Sequence, residues 1–372
     1  MIETLANTSS LATRLRQRIK REGPLTFRDW MQATLYDSND GYYCRADRSR
    51  WGRDGDYRTS PERTPLFASV FARYFAALHE QLGGPAAWTI FEAGAGDGHF
   101  AAALLQNLQK SFPNVFAVTS YVIDELSPSS NARARERLRP FADRIHFKSL
   151  DEVVLNPGMV FSNELLDAFP VHRIVLQSDE FREFYVTVSE DGKFEWLIDS
   201  LSPALSLRLQ EYFEEIGIQP EQGQVIEVGL EIENWLRRVA NSMRSGYVVT
   251  VDYGAVAEDL YSPRADSEGT LRGFRRHQFV DDLLAQPGEH DLTTTVNWSF
   301  VKSVGTRAGL EFVELSRQDQ FLLANGFLEQ LELESRQAKD EGERLQLSSA
   351  AREMILPDGM AASFQVLVQK KE

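Results

Sequence analysis

Cysteine is almost absent from this chain, which has one, Cys44, among 372 residues. An internal disulfide is therefore excluded, and the composition fits a reducing compartment. No stretch of about 18 consecutive apolar residues occurs, so no membrane-spanning helix is expected. The first residues also lack the pattern of a secretory signal peptide. Together these absences predict a cytoplasmic protein.

Positive charge is in deficit, because 40 Lys and Arg residues stand against 55 Asp and Glu residues, a net charge of −15. Nucleic-acid phosphates repel such a chain, so we expect no nucleic-acid partner, whereas cationic substrates suit it. The exception is an Arg- and His-rich arm, 264–291, which either grips a substrate or is a solvated loop. Its histidines, His277 and His290, stand 13 apart (290 − 277), which matches no known metal-binding spacing. No metal site is predicted.

The most informative stretch is Trp88–Phe100, which reads WTIFEAGAGDGHF. An apolar run ends at Glu92, and Gly94, Gly96 and Gly98 precede an Ala/Leu-rich segment that favours a helix. Glycine lets the backbone turn sharply and approach a ligand, so this strand, loop and helix start predict a nucleotide-cofactor site. The spacing differs from the G-x-G-x-x-G of dinucleotide folds. An ordinary glycine turn is the alternative.

An acid at the end of the next predicted strand supports a cofactor site. Thr119–Glu125 reads as a strand, and Glu125 stands 27 residues after Gly98 (125 − 98). An acid in this place can accept hydrogen bonds from both hydroxyls of a ribose. Because Asp124 would point to the other face of the strand, Glu125 is the predicted ligand. A solvated strand-end acid is the alternative.

A helix start upstream offers a further contact. Thr59 and Ser60 precede Pro61 and Glu62, residues that favour the first turn of a helix. The N–H groups of a helix N-terminus can bind a ligand carboxylate, although a plain helix cap explains the same residues.

Strands alternate with helices through the middle of the chain, which predicts an α/β fold with a doubly wound, mostly parallel sheet. Ligands of such sheets bind at the carboxyl ends of the strands. The predicted fourth strand ends in Asn163, Glu164 and Asp167. Since Glu164 and Asp167 are three apart, a helical turn here would put both carboxylates on one side.

Two segments, 173–224 and 255–299, interrupt this alternation of strands and helices. In residues 173–224, apolar and polar residues alternate around the turn Ser189–Gly192, which predicts an inserted antiparallel β and helical subdomain. Gln224–Val228, at its boundary, is predicted to be one more strand of the insert. The expected organisation has an N-terminal helical and capping extension, a core in three pieces, this insert and the arm. Their boundaries are 1–62 for the extension; 63–172, 225–254 and 300–372 for the core; 173–224 for the insert; and 255–299 for the arm.

In this order and spacing, the segments resemble the MidA family of class I S-adenosylmethionine-dependent methyltransferases, whose mitochondrial members are complex I assembly arginine methyltransferases. The resemblance extends over the whole chain. It rests on Gly23-Pro24, Gly41–Tyr43, Gly55–Glu62, Glu92–Gly98, Glu125–Pro128, Asn163–Pro170, Val251–Gly254, Gly269–Arg272 with His277, Pro287–Thr293, and Met360–Leu367.

The resemblance implies a Rossmann-like methyltransferase core with N-terminal helices and added elements, S-adenosyl-L-methionine as cofactor, and a protein arginine as acceptor, in mitochondrial members on a complex I subunit. A eukaryotic relative would work in the mitochondrial matrix. The implied cofactor ligands are Glu92, Gly94, Gly96, Gly98, Glu125 and Asn163, with Thr59 and Ser60 at the cofactor carboxylate. The implied catalytic residues are Asn163, Glu164 and Asp167.

Other functions stay open at this point. The acceptor is either a protein arginine, another protein residue or a small molecule. A cofactor-bound assembly chaperone with little catalysis is a non-enzymatic alternative, in which the insert and the arm dock a partner. A nicotinamide dehydrogenase is disfavoured by the glycine spacing and by the Asn163-Glu164 pair. The inserted segments could equally form the interface of a homodimer.

Overall fold

The structure is a computed structural model that describes residues 10–45, 65–262, 268–276, 278–356 and 363–372. Its helices are α1 (Leu11–Glu22), α2 (Phe27–Tyr36), α3 (Pro65–Gln81), α4 (His99–Ser111), α5 (Pro113–Val118), α6 (Pro128–Arg137), α7 (Pro203–Ile216), α8 (Glu231–Ser242), α9 (Ala257–Leu260), α10 (Trp298–Arg307), α11 (Gln318–Ala324), α12 (Phe327–Gln337) and α13 (Glu341–Ile355).

The strands are β1 (Leu25–Thr26), β2 (Trp88–Ala93), β3 (Thr119–Asp124), β4 (Ile145–Phe147), β5 (Gly158–Asn163), β6 (His172–Gln177), β7 (Glu180–Val188), β8 (Phe194–Ser200), β9 (Val225–Val228), β10 (Gly246–Ala255), β11 (Arg272–Arg275), β12 (Gln278–Phe279), β13 (Asp291–Thr293), β14 (Val296–Asn297), β15 (Glu311–Arg317) and β16 (Phe364–Lys371). The described residues group into two compact units. The insert unit draws on the described residues within 1–48, 169–231 and 258–294, and the core unit on those within 49–168, 232–257 and 295–372.

The core unit is built on a sheet with the strand order β15-β16-β10-β5-β2-β3-β4, and β14 extends it beside β10. Five neighbouring strands of this sheet run parallel to one another: β10, β5, β2, β3 and β4. Strand β16 is antiparallel to both of its neighbours, β10 and β15. The predicted doubly wound, mostly parallel sheet is therefore confirmed. In this order, β2 and β5 lie side by side, and the loops at their carboxyl ends are neighbours.

Aromatic side chains hold α3 against this sheet. Phe67, Phe71 and Phe75 are completely buried. The ring of Phe71 lies 5.4 Å from that of Phe161 on β5, and Phe100 at the start of α4 stacks on Phe161 at 4.3 Å. This packing fixes the helix after the glycine loop to the strand beside it, because a buried cluster of rings tolerates little displacement.

The insert unit is a separate sheet of antiparallel strands. β7 pairs with β6, β8 and β1, and β9 pairs with β6, so Gln224–Val228 does contribute a strand to the insert. Helix α7 packs on one face, where Phe181 stacks on Phe213 at 5.1 Å. Trp30 of α2 meets Phe194 of β8 edge-on at 4.6 Å. A smaller sheet of β12, β11 and β13 belongs to the arm.

The polar segment 322–354 is divided among three helices, α11 to α13. Gly326 has φ +90 and lies between α11 and α12, where a left-handed glycine can end the preceding helix. Asp340 begins α13 by accepting a hydrogen bond from the Glu343 N–H.

Candidate functional site

The glycine loop after β2 has a backbone that favours glycine at each alternate position. Gly94, Gly96 and Gly98 have φ values of +67, +53 and +74, in the left-handed region that disfavours side chains. Gly98 is also the N-cap of α4, and its N–H donates to the carbonyl of Ala95 at 3.0 Å. The strand, tight turn and helix predicted from the sequence are thus present, with the helix N-terminus directed at the loop.

The loop is enclosed by neighbouring elements on two sides. A Cβ added to Gly94 would lie 3.0 Å from Leu165 Cδ1, in the segment that follows β5. A Cβ on Gly98 would lie 3.2 Å from the Cβ of Ala134 in α6. The absent side chains therefore allow close packing of the loop against the end of β5 and against α6.

Asp97, between the last two glycines, anchors the loop to α6 and was not singled out from the sequence. Arg133 Nε donates to its Oδ2 at 2.8 Å, and Arg137 Nη1 donates to its carbonyl at 2.8 Å. The two arginines are four apart and so lie on one face of the helix. This spacing of two arginines on the helix after β3 was the sequence feature from which the anchoring of the loop could have been predicted.

Glu125 reaches the glycine loop, whereas Asp124 points away from it. Glu125 Oε2 accepts a hydrogen bond from the Gly96 N–H at 2.8 Å, and its Oε1 accepts from the Ser127 N–H at 2.7 Å. Asp124 Oδ2 accepts instead from the Leu150 N–H at 3.1 Å. The opposite directions expected of these neighbouring acids are confirmed.

Glu92 lies on β2 with its carboxyl buried, and Tyr121 on β3 donates to its Oε2 at 2.7 Å. Burial raises the pKa of Glu92 to about 8, although the Tyr121 hydrogen bond acts in the opposite direction. The same burial, together with the Glu92 charge, raises the pKa of Tyr121. Tyr121 was missed from the sequence, because nothing in a single strand shows which residue of its neighbour it faces.

Asn163 and Glu164 form a corner at the end of β5, next to the glycine loop. Asn163 Nδ2 donates to Glu164 Oε1 at 3.0 Å, and both residues are half-buried. Glu164 has φ +52, which is uncommon for a residue with a side chain. Within the described part of the chain, the Asn163 side-chain oxygen is enclosed and accepts no hydrogen bond.

The helical turn expected between Glu164 and Asp167 is wrong. No helix follows Glu164, because the chain bends and turns from Glu164 to Phe169. Asp167 is buried, with 5% of its surface exposed, whereas Glu164 stays partly open. A third acid, Asp252 in β10, accepts hydrogen bonds from the Leu165 and Leu166 N–H groups. Asp252 was not among the site residues predicted from the sequence.

The remaining predictions concern Thr59 and Ser60, metal sites and membrane-spanning helices. Thr59 and Ser60 lie outside the described residues. Among the residues that are described, no group of three or more His, Cys, Asp or Glu side chains could hold a metal ion. The helices described also include none that is long and apolar enough to cross a bilayer.

The geometry fits a small ligand that carries hydroxyl groups and hydrogen-bond donors. Glu125 presents a carboxylate beside the glycine loop, where it accepts a hydrogen bond from the Gly96 N–H. The Asn163 oxygen offers an enclosed acceptor at the end of the neighbouring strand. Strand ends that meet at one edge of a parallel sheet are the usual place for such a ligand.

Comparison with known proteins agrees with this geometry. A family model described as an S-adenosyl-L-methionine-dependent methyltransferase matches residues 70–316. The chain is 28% identical to a protein from Burkholderia thailandensis, whose crystal structure contains S-adenosyl-homocysteine. The match covers 97% of this chain and 92% of that chain, with a TM-score of 0.85.

Curated relatives are more distant in sequence. The chain is 27% identical to the Drosophila melanogaster protein named protein arginine methyltransferase NDUFAF7 homolog, mitochondrial, over 81% of this chain and 71% of the relative. It is 25% identical to the Mus musculus protein arginine methyltransferase NDUFAF7, mitochondrial, over 94% and 82%.

Proposed function

This chain belongs to the family of S-adenosyl-L-methionine-dependent methyltransferases and has their class I fold, and from that premise we propose that it methylates arginine side chains of a protein. The observation that carries the proposal is the half-buried acidic corner, Asn163-Glu164, beside the glycine loop. The relatives that share most of the chain are named protein arginine methyltransferases.

We assign the donor half of the site to the glycine loop and the strands around it. The bound cofactor supplies an activated methyl group on its positively charged sulfur. Gly94, Gly96 and Gly98 let the backbone approach it, and Glu125 accepts hydrogen bonds from its ribose hydroxyls. Glu92 also stays a proposed cofactor ligand. Thr59 and Ser60 remain proposed ligands of its carboxylate.

Asn163 is assigned to both halves of the site. Its enclosed side-chain oxygen, which has no donor among the described residues, would accept a hydrogen bond from the cofactor. Its amide group donates to Glu164 and so orients that carboxylate. An acceptor with no partner is costly when buried, so a ligand that donates to it gains affinity.

We assign the acceptor half to Glu164, with Asp167 behind it. A guanidinium is planar, fully protonated at neutral pH and a poor nucleophile. A carboxylate that pairs with it fixes its plane and raises the electron density on the nitrogen that attacks. That nitrogen loses one proton for each methyl group it gains, and we assign Glu164 to take the proton. Asp167, which is buried, stays the second proposed catalytic acid.

The net charge of −15 supports a cationic acceptor, because an acidic surface attracts positive peptides and speeds their encounter. We propose a complex I type subunit as one acceptor. The enzyme itself is proposed to act in the bacterial cytoplasm or, in a eukaryote, in the mitochondrial matrix. A homodimer is a further proposal, which sedimentation of the purified chain tests directly.

The direct test incubates the protein with S-adenosyl-L-methionine labelled in the methyl group and with arginine-containing peptides. A matched peptide set carries Lys in place of each Arg. We expect label only on the arginine peptides, at the guanidinium nitrogens by mass spectrometry. Label on lysine, or on a small molecule from a metabolite extract, would contradict arginine as the acceptor. The proposed cofactor site would not be affected by that result.

The non-enzymatic alternative is a cofactor-bound assembly chaperone. It predicts that a variant without turnover still binds a respiratory subunit and supports assembly. The partly exposed Glu164 favours catalysis, because an acid beside the donor loop has no evident purpose in a docking protein. Rescue of assembly by the Glu164→Gln variant would favour the chaperone.

A further inference from the structure

Asp252 is the most deeply buried acid at the corner after β5, with none of its surface exposed. Three successive backbone N–H groups converge on its Oδ2: those of Leu165 at 3.1 Å, Leu166 at 2.9 Å and Asp167 at 3.3 Å. Its Oδ1 accepts from the Tyr253 N–H at 2.9 Å. Consecutive N–H groups around one oxygen form a nest that stabilises negative charge.

These bonds act on the residues that follow Glu164, whose own backbone is strained. A φ of +52 is unfavourable for a residue with a side chain, so the surroundings must impose it. Two contacts do so. The Glu164 N–H donates to the Val251 carbonyl at 2.9 Å, and Asp252 then holds the next three residues. The corner is thus fixed from adjacent positions of β10.

The charge around Asp252 makes this arrangement costly to maintain. Burial raises its pKa, and the nearby Asp167 and Glu164 carboxylates raise it further, whereas the N–H groups of Leu166 and Asp167 lower it. Burying a carboxyl among other acids costs free energy. The four N–H groups that donate to Asp252 offset part of that cost and fix where its carboxyl lies at this corner.

We infer that Asp252 is a positioning residue for methyl transfer, which sets the orientation of Glu164 and Asn163 by clamping the backbone of Leu165–Asp167. The inference rests on the proposed function, because it takes the corner as the acceptor half of the site. Asp252 itself touches neither cofactor nor acceptor in this account. Its effect is on the placement of the two residues that do.

The test replaces Asp252 by Asn, which keeps the size but leaves one acceptor oxygen for four N–H groups. We expect kcat to fall about 100-fold, since a displacement near 1 Å is enough for such a loss, while the Kd for S-adenosyl-homocysteine changes less than about twofold. The matched control is Asp319→Asn. Asp319 is also buried in the core unit, but it pairs with Arg317. The control should lose thermal stability to a similar degree and retain kcat.

Amide hydrogen exchange tests the clamp without an acceptor. The amides of Leu165, Leu166 and Asp167 should exchange at least about 10-fold faster in Asp252→Asn than in the wild type or the control. Unchanged exchange would overturn the clamp. Faster exchange with unchanged kcat would overturn the positioning role. If the wild type itself methylates no arginine, the proposed function fails, and the exchange result still decides the clamp.

Asp252→Glu provides a second variant if the Asn variant does not fold. It retains a charged acceptor but moves it by one methylene. We expect protected amides together with a kcat reduced about 10-fold or more, because the corner shifts as a unit. Wild-type kcat in this variant would contradict the inference, since only a role in holding the fold would then remain.

Discussion

At the scale of single residues, the site joins groups whose ordinary behaviour has been altered by burial. Glu92 is enclosed beside Tyr121, Asp252 is enclosed by backbone N–H groups, and Glu164 adopts a left-handed backbone. Such departures from ordinary conformation and pKa cluster at functional sites. Here they occur on neighbouring strands, β2, β5 and β10, at the same edge of the sheet.

The raised pKa of Glu92 predicts how stability depends on pH. The folded pKa, about 8, exceeds the ordinary value of 4.5, so the folded state holds a proton that the unfolded state has lost between these values. This contribution to the free energy of unfolding is therefore complete below pH 4.5 and is lost as pH rises towards about 8, by up to about 1.4 kcal/mol per pH unit.

Urea unfolding of the wild type and Glu92→Gln across this range measures the effect. Gln resembles the protonated acid and does not titrate, so the variant should lose less stability as pH rises. Parallel pH profiles for the two proteins would show that Glu92 does not titrate abnormally.

Glu164→Gln isolates the acceptor half of the site. Gln keeps the size and a hydrogen-bonding oxygen but can neither pair with a guanidinium through charge nor take its proton. We expect kcat to fall about 100-fold or more with the Kd for S-adenosyl-homocysteine unchanged. Steady-state methyl transfer with calorimetry measures both. An exposed acid on the edge strand, Glu311, provides the control as Glu311→Gln; if Glu164→Gln matches it in activity, another residue grips the arginine.

At the scale of elements, the glycine loop is a junction between β2, the end of β5 and α6. The proposed site requires Gly94 to leave room for the cofactor. The structure adds that a side chain there would also press on Leu165, one residue beyond Glu164. The cofactor half and the acceptor half of the site thus meet where Gly94 packs against Leu165.

Gly94→Val should therefore abolish cofactor binding and displace the corner. Gly84→Val is its matched control. Gly84 has a similar φ, +63, but open space around its Cβ, so this variant carries comparable backbone strain away from the site. We expect Gly94→Val to weaken S-adenosyl-homocysteine binding by about 100-fold or more and the control to bind normally. Normal titration heats for Gly94→Val would contradict the assignment of the loop.

Helix α6 should contribute to cofactor affinity through Arg133. Arg133→Met removes the charged hydrogen bond to Asp97 while keeping most of the side-chain volume. Because Arg133 is partly exposed, the loss is modest, and we expect about a fivefold higher Kd for S-adenosyl-homocysteine. Arg135→Met is the control on the same helix, since Arg135 lies over the Phe147 ring. Equal affinities for the two variants would show that the loop needs no anchor.

At the scale of the whole molecule, the sequence supports the prediction of elements better than that of their junctions. The strand, glycine loop and helix from Trp88 onward follow from local periodicity and glycine spacing. The conformation of Glu164 does not, because it depends on Val251 and Asp252, which are 87 residues away from Glu164 and Leu165, respectively. A helical turn was the local expectation, and a long-range contact overrides it.

The same distinction explains the other differences. The division of the segment 322–354 reflects Gly326, which ends a helix, and Asp340, which begins one, and both signals are visible in the sequence. The bonds of Asp97 to α6 and of Glu92 to Tyr121 require knowledge of which strands and helices are neighbours. A strong family resemblance supplies the architecture, but the hydrogen bonds that shape the site become evident only in three dimensions.

The most direct test of the account is a calorimetric titration of the wild type and Glu125→Ala with S-adenosyl-homocysteine, with NAD as the comparison ligand. We predict that the wild type binds S-adenosyl-homocysteine and not NAD. Glu125→Ala should bind about 30-fold more weakly, because two charged hydrogen bonds to ribose are lost. NAD binding, no binding of S-adenosyl-homocysteine, or equal affinity of the two proteins would contradict the donor site described for this chain.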